Sequence, residues 1–389
     1  DLILEMLMAG SVVSKYWGVY LNQFFELIGW NINTNIAIGS FNFDLAPVII
    51  VAFFTALLVM GTKIGARVDG ALTILKIAIV VFIVVVGFFY IKAENFTPFI
   101  PPSEPAASTD GTGVSAVMEQ PLWQWATGMA PSIYGVTGII SGAALVFFAF
   151  LGFDVVATAS EETINPKKNV PLGIGVGLGL IIVLYTLVAI VTTGMVSYKD
   201  LAKQSDPSLA VAFKMVGADW AAKIISLGIV IGMATVVMVL LLGLTRVVFA
   251  MSRDGLLPRG LSHTGKHGTP VRLQIIVGVV MALIAACCNV GILSDMVNIG
   301  TLSAFTLVAI SIPIMRKKRP DLERSFKIPG NPWVPILIAL ANLWLMVNLS
   351  VLTWIRFVVW LIVGFAIYFG YGYRHARLGA GELEVAAQE

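Results

Sequence analysis

Apolar residues in this chain come in long unbroken stretches rather than in alternation. Ten runs carry almost no charge: 2–28, 45–60, 71–91, 138–158, 172–196, 220–250, 273–290, 294–315, 333–350 and 354–373. A hydrocarbon core of about 30 Å takes about 20 apolar residues as a helix. A barrel strand would instead alternate over about 10 residues. The pattern therefore predicts ten membrane-spanning helices, an all-α multi-pass protein. The short second run and the long sixth predict uneven tilt or depth.

Basic residues between the runs set a sidedness, because cytoplasmic loops collect Lys and Arg. With residues 61–70 placed inside, alternation puts sixteen Lys and Arg on the inner side. Six fall outside: Lys92, Lys199, Lys203, Lys214, Lys223 and Arg356. Both ends of the chain are then expected in the cytoplasm. The segment 92–137 is rich in Pro, Ser, Gly and Thr, has no basic residue after Lys92, and reads as an extracytoplasmic loop. Within it "LWQW" at 122–125 is expected to sit at the interface as an aromatic anchor.

Composition narrows the function classes. The 389 residues are 58% hydrophobic and 12% charged, against about 25% charged in a soluble domain. Lipid must be the solvent. The net charge is only +3, and basic residues are not interleaved with aromatics, so nucleic acid is not an expected partner. Cys287 and Cys288 are adjacent within one apolar run; neighbours on a helix do not face each other, which argues against a disulfide or redox role. The chain opens at Asp1 directly into an apolar run, with no basic n-region or cleavage site. That points to an absent N-terminal portion of a longer protein.

Titratable groups inside a span cost about 2.5–3.5 kcal/mol each on insertion scales and mark function by default. Four stand out: Glu5, Lys15, Lys76 and Asp154. Lys15 lies near the outer end of its run, where its amine can snorkel to the headgroups. Glu5 sits at the start of its run and becomes deep only if the helix begins before Asp1. Lys76 is about 9 Å into its run at 1.5 Å per residue, within inward snorkelling reach. Asp154 is too deep for a cap. It follows Gly152 in "FFAFLGFD", and a mid-helix glycine costs about 1 kcal/mol, so Gly152 marks an expected break. Main-chain groups freed by a break at mid-membrane are tolerated only inside protein or along an aqueous path, where they can bind the charged ends of a substrate. The plainer reading is a packed kink, with Asp154 bonded to a neighbouring helix.

Other patterns carry less. "GIGVGLGL" at 173–180 has no preceding strand and is no dinucleotide loop; the pairs Gly173/Gly177 and Gly175/Gly179 are spaced for close helix packing. His263 and His267 lie four apart but lack a ligand set, so no metal or other cofactor is expected. No catalytic constellation is visible at depth.

Six stretches carry a family resemblance: "DLILE" at 1–5, "ARVDGALTILKIAIV" at 66–80, "FFAFLGFDVVATASEETINPKKNVPLGI" at 147–174, "TRVVFAMSRDGLLP" at 245–258, "VNIGTLSAF" at 297–305 and "RPDLERSFKIPGNPWVP" at 319–335. They resemble the bacterial cationic amino acid transporter family, within the amino acid–polyamine–organocation superfamily, over almost the whole chain. The resemblance implies a LeuT-type fold of twelve helices, two inverted repeats of five plus two more, here with the first two helices missing. On that scheme 1–91 is the remainder of the first repeat, 92–137 the outer loop, 138–315 the second repeat, 316–332 a cytoplasmic loop, and 333–389 two further helices and a tail.

The resemblance also implies roles. Main-chain groups around Phe148, Ala149 and Leu151 would receive a substrate ammonium, with Phe148 as a gate over it. Asp154 would hold the break, Met233 would line the same site, and Lys76 would couple transport to protons. Glu5, Glu161 and Glu162 would stand behind these. Two departures stand against the family pattern: Lys15, where a small or apolar residue is usual, and a long 101–137 loop. The expectation is a proton-coupled secondary transporter of amino acids, cationic ones among them, working by alternating access in the cell membrane. Its partners would be the amino acid, the proton and the bilayer; no oligomeric state is indicated. A substrate exchanger and a non-transporting amino acid sensor remain as rivals.

Overall fold

The computed structural model describes residues 2–375 apart from 31–33, 39–40, 62–65, 106–113, 131, 154–155, 157–162, 205–206, 264–269, 322–323 and 325–326. Among these, ten apolar helices follow the ten runs: α1 (Leu2–Leu27), α2 (Leu45–Val59), α3 (Ala66–Phe88), α4 (Gly135–Val146), α5 (Pro166–Met195), α6 (Asp219–Arg253), α7 (Val271–Cys287), α8 (Val290–Lys318), α9 (Trp333–Val347) and α10 (Val351–Ile367). Six are long and apolar enough to cross a membrane, and the other four are shorter apolar helices. Unequal length is built in. The 35 residues of α6 span about 52 Å, and the 15 of α2 about 22 Å, at 1.5 Å per residue.

Local chemistry sets several helix ends. Asp44 closes a hairpin of Asn35–Ile38 and Phe41–Asp44 and accepts the Ala46 amide at 3.2 Å to cap α2. Burial pushes the Asp44 carboxyl above its ordinary pKa, while the Ala46 amide and the Lys15 charge pull it down. Asn289 caps α8 through the Gly291 amide, 2.8 Å. Arg316, Lys317 and Lys318 fill the last turn of α8, where cations meet the negative end of the helix dipole. Lys15 differs from the snorkelling expectation. Its Nζ donates to the Cys288 carbonyl at 2.6 Å, so it caps the C-terminus of α7, where an orphan carbonyl is a nearer partner than headgroup water.

The centre of the fold is α1. Its Met6 joins Phe54 of α2, Leu241 of α6 and Met281 of α7 in one buried cluster. A second cluster ties Ile83 of α3 to Met195 of α5 and Ile225 of α6, with Phe213 of the short helix Leu209–Met215 inside it. A third joins Ala144 of α4, Leu302 of α8, Met346 of α9 and Phe357 of α10.

The close glycine packing lies elsewhere than the sequence pattern suggests. Among the described residues nothing lies within 4 Å of where a Cβ would stand on Gly173, Gly175, Gly177 or Gly179 of α5. The working pair is Gly228 and Gly232 of α6. A Cβ on Gly228 would meet Ile79 of α3 at 2.5 Å, and one on Gly232 would meet Lys76 of α3 at 3.3 Å. The same four-residue spacing of small residues thus serves α3 against α6.

The outer loop is docked. Leu122 N–H donates to the Leu349 carbonyl and Val351 N–H to the Gln120 carbonyl, 3.0 and 3.1 Å. These bonds tie "LWQW" to the turn between α9 and α10. Glu104 pairs with Lys199 at 2.6 Å, and the Lys199 ammonium lies 5.4 Å from the Tyr134 ring centroid at the start of α4.

Candidate functional site

The sequence expects a break at Gly152, and the backbone leaves the helix there. After Val146 the chain tightens into a 3₁₀ turn over Phe147–Phe150. Leu151 is extended, with ψ 144°, and Gly152 takes φ +115°. An L side chain rarely adopts that φ. No atom of the described residues stands within 4 Å of a Cβ placed on Gly152, so the backbone angle selects glycine there.

A 3₁₀ turn eclipses i and i+3, which puts Phe148 and Leu151 on one face. Both pack against a buried cluster of Ala9 from α1, Leu240 from α6 and Val297 from α8. Val236 of α6 packs there too. Half-buried Met233 sits one turn before Val236 on the same stripe of α6. The structure thus brings Phe148, Leu151 and the Met233 stripe to one face.

Behind the turn, α8 bridges the break. Phe305 lies 6.1 Å from the ring of Phe147, ahead of the break, and 5.1 Å from that of Phe153, beyond it. Asn298, fully buried and two turns earlier on α8, donates its amide to the Leu145 carbonyl at 3.3 Å. From the other side Tyr185 of α5 donates its hydroxyl to the Ala149 carbonyl at 3.0 Å, with its ring 5.3 Å from Phe150. The Leu151 amide closes the turn onto the Phe148 carbonyl, 3.2 Å. Among the described residues Phe148 and Ala149 each therefore hold one donor from outside a helix ladder, and a carbonyl has lone pairs for two. The turn can take a further N–H donor without losing those it has.

Of the titratable candidates, Glu5 is fully buried in α1, one turn before Ala9. Lys76 of α3 is half-buried, and its aliphatic stem runs along Gly232, the residue before Met233. Asp154, Glu161 and Glu162 lie outside the described residues.

Sequence reasoning missed Tyr185, Asn298 and Phe305. Asn298 carried a signal, since a carboxamide in the middle of an apolar run needs a partner. So did Tyr185, because an embedded phenol seeks an acceptor. Phe305 carried none, one aromatic among many.

A family described as amino acid permease matches residues 6–370. The chain is similar to a branched-chain amino acid permease of Bacillus subtilis (strain 168), 39% identical over 388 residues, covering 97% of this chain and 76% of that protein. It is also similar to a methylthioribose transporter of the same organism, 38% identical over 386 residues, with 97% and 76% covered. Cationic amino acid transporter 4 of Homo sapiens is 26% identical over 510 residues, with 98% and 75% covered.

The geometry separates two kinds of glycine. Gly152→Ala should lower the melting temperature of detergent-solubilised protein, a cost of about 1–3 kcal/mol for forcing a left-handed φ. Gly177→Ala should be neutral or stabilising, since its surroundings are open and alanine favours the helix. Equal tolerance at the two positions would contradict the break.

Proposed function

The chain belongs to the amino acid permease family and is a multi-pass membrane transporter for amino acids; on that premise we propose how its site works, what it prefers and what drives it. The observation that carries the reading is the 3₁₀ turn and break at Phe147–Gly152, backed by α1, α6 and α8 and held by Tyr185. The turn offers carbonyl lone pairs in a region with no bulk water, where each is worth filling. A substrate ammonium is the matching donor. Phe148, Ala149 and Leu151 form this ammonium end, Phe148 closes over it, and Asp154 stabilises the break.

The side-chain end is apolar. Met233, Val236 and Leu240 share one stripe of α6, which suits an aliphatic amino acid; the likeness to a branched-chain permease supports this preference. Met233 sets the depth, and methionine fills space adaptably. Cationic amino acids are the second reading, favoured by the likeness to cationic amino acid transporters.

Lys76 is the proton-coupling group. Its stem lies against Gly232, so a change in protonation acts one residue away from Met233. Glu5, one turn from the face that holds Phe148 and Leu151, stands behind it. Alternating access then exposes the break first to one side and then to the other. The protein sits in the cell membrane with both ends cytoplasmic, a reading supported by the Lys and Arg asymmetry. The helices divide as two repeats, 1–91 and 138–315, with α9 and α10 outside them.

In proteoliposomes of the full-length protein, leucine should accumulate under an inward proton gradient. Lys76→Ala should keep substrate binding and lose that accumulation. If Lys76→Ala still concentrates leucine against its gradient, Lys76 merely snorkels and coupling lies elsewhere. Met233→Ser should enlarge the site and admit longer side chains such as arginine; an unchanged substrate spectrum would place Met233 outside it.

A further inference from the structure

Asn298 stands out as a fully buried polar group in α8. Its Nδ2 donates to the Leu145 carbonyl, while its Oδ1 has no hydrogen-bond partner among the described residues. In an uninterrupted α-helix the Leu145 carbonyl would belong to the amide of residue 149. A side chain inserted into the i→i+4 ladder is a recognised setting for helix breaks, because it meets the acceptor that the break frees. The chain responds in the expected place. Two residues after Leu145 it winds into the tighter Phe147–Phe150 turn, whose i→i+3 pattern does not use the Leu145 acceptor in the same way. Phe305, two turns further along α8, spans the break through Phe147 and Phe153. One face of α8 thus meets the broken helix before and after the interruption.

The unmet Oδ1 adds a second, independent observation. A buried acceptor without a donor costs stability, so the side chain meets the Leu145 carbonyl while leaving its own oxygen unmet among the described residues. Real proteins break such local rules chiefly at functional sites.

We propose that Asn298 is the positioning residue for the ammonium end of the site: by occupying the Leu145 carbonyl it holds residues 147–151 in the tight turn and so aims the carbonyls that take the substrate ammonium. This rests on reading the break as the ammonium site. Asn298 itself does not have to touch the substrate. It sets selectivity for an ammonium over a group that donates more weakly, such as a hydroxyl.

The test compares leucine with its 2-hydroxy analogue, which keeps the carboxylate and the side chain and replaces the ammonium by a hydroxyl. Both compete against labelled leucine uptake in proteoliposomes containing full-length wild type, Asn298→Leu and Asn298→Ala, alongside melting temperatures in detergent. Wild type should prefer leucine strongly. In both variants the preference should shrink by roughly 3- to 10-fold, the worth of one hydrogen bond, beyond any loss common to both ligands that accompanies a lowered melting temperature. A preference unchanged in both variants, including one in which the two affinities weaken together as the protein loses stability, overturns the proposal and leaves Asn298 a packing residue. Wild type that fails to discriminate overturns the ammonium reading itself, a separate failure visible before any variant is compared.

Discussion

A membrane interior has no water to receive a main-chain carbonyl that a helix lets go. The interruption of the fourth helix is therefore possible only because neighbouring helices meet what it frees. Tyr185 takes the Ala149 carbonyl, Asn298 takes that of Leu145, and the Leu151 amide folds back on Phe148. The rest of the fold follows from keeping those donors in place. α5 carries Tyr185 as an otherwise largely exposed helix, anchored at its far end by Val191 and Met195. α8 carries Asn298 and Phe305, and is itself locked between α1 and the α9–α10 pair.

The second constraint is backbone proximity. Gly228 and Gly232 let α3 lie close against α6, which brings a basic side chain beside the stripe that ends at Leu240. A larger residue at either position would move Lys76 away from Met233. The acidic candidate of α1, Glu5, is fully buried one turn before Ala9, which packs with Phe148 and Leu151. Glu5 is thus one helical turn from a residue of the apolar cluster, and the Lys76 stem lies against the residue before Met233.

Much of this was legible in the sequence, for one physical reason. Hydrocarbon demands long apolar runs, so nine of the ten helices could be read to within about six residues of their observed ends, whereas the run 138–158 stops as a helix at Val146, ahead of the break. Gly152 was legible because a glycine between aromatic residues at depth has few other uses. The α5 glycines misled because four-residue spacing tells that a helix can be approached, not which helix approaches it. The pair that is used, in "GIVIG" at 228–232, has the same spacing and went unremarked. Lys15 was expected near the outer end of its run with solvent as a partner; it lies midway along α1, and the Cys288 carbonyl it meets is 273 residues away in sequence. Tyr185 and Asn298 illustrate the same limit. Each could be flagged as a polar group that needs a partner, but only the folded chain names the carbonyl.

The central claim is that the Phe147–Gly152 turn receives the substrate. It is tested most directly by chemical accessibility. In a full-length background with Cys287→Ala and Cys288→Ala, a single cysteine at exposed Ala149 should react with a membrane-impermeant thiol reagent in proteoliposomes. Saturating leucine should slow that reaction, and its 2-hydroxy analogue should slow it far less. Reactivity that is the same with and without saturating leucine, in protein shown to transport it, would contradict the claim and move the substrate site away from the break.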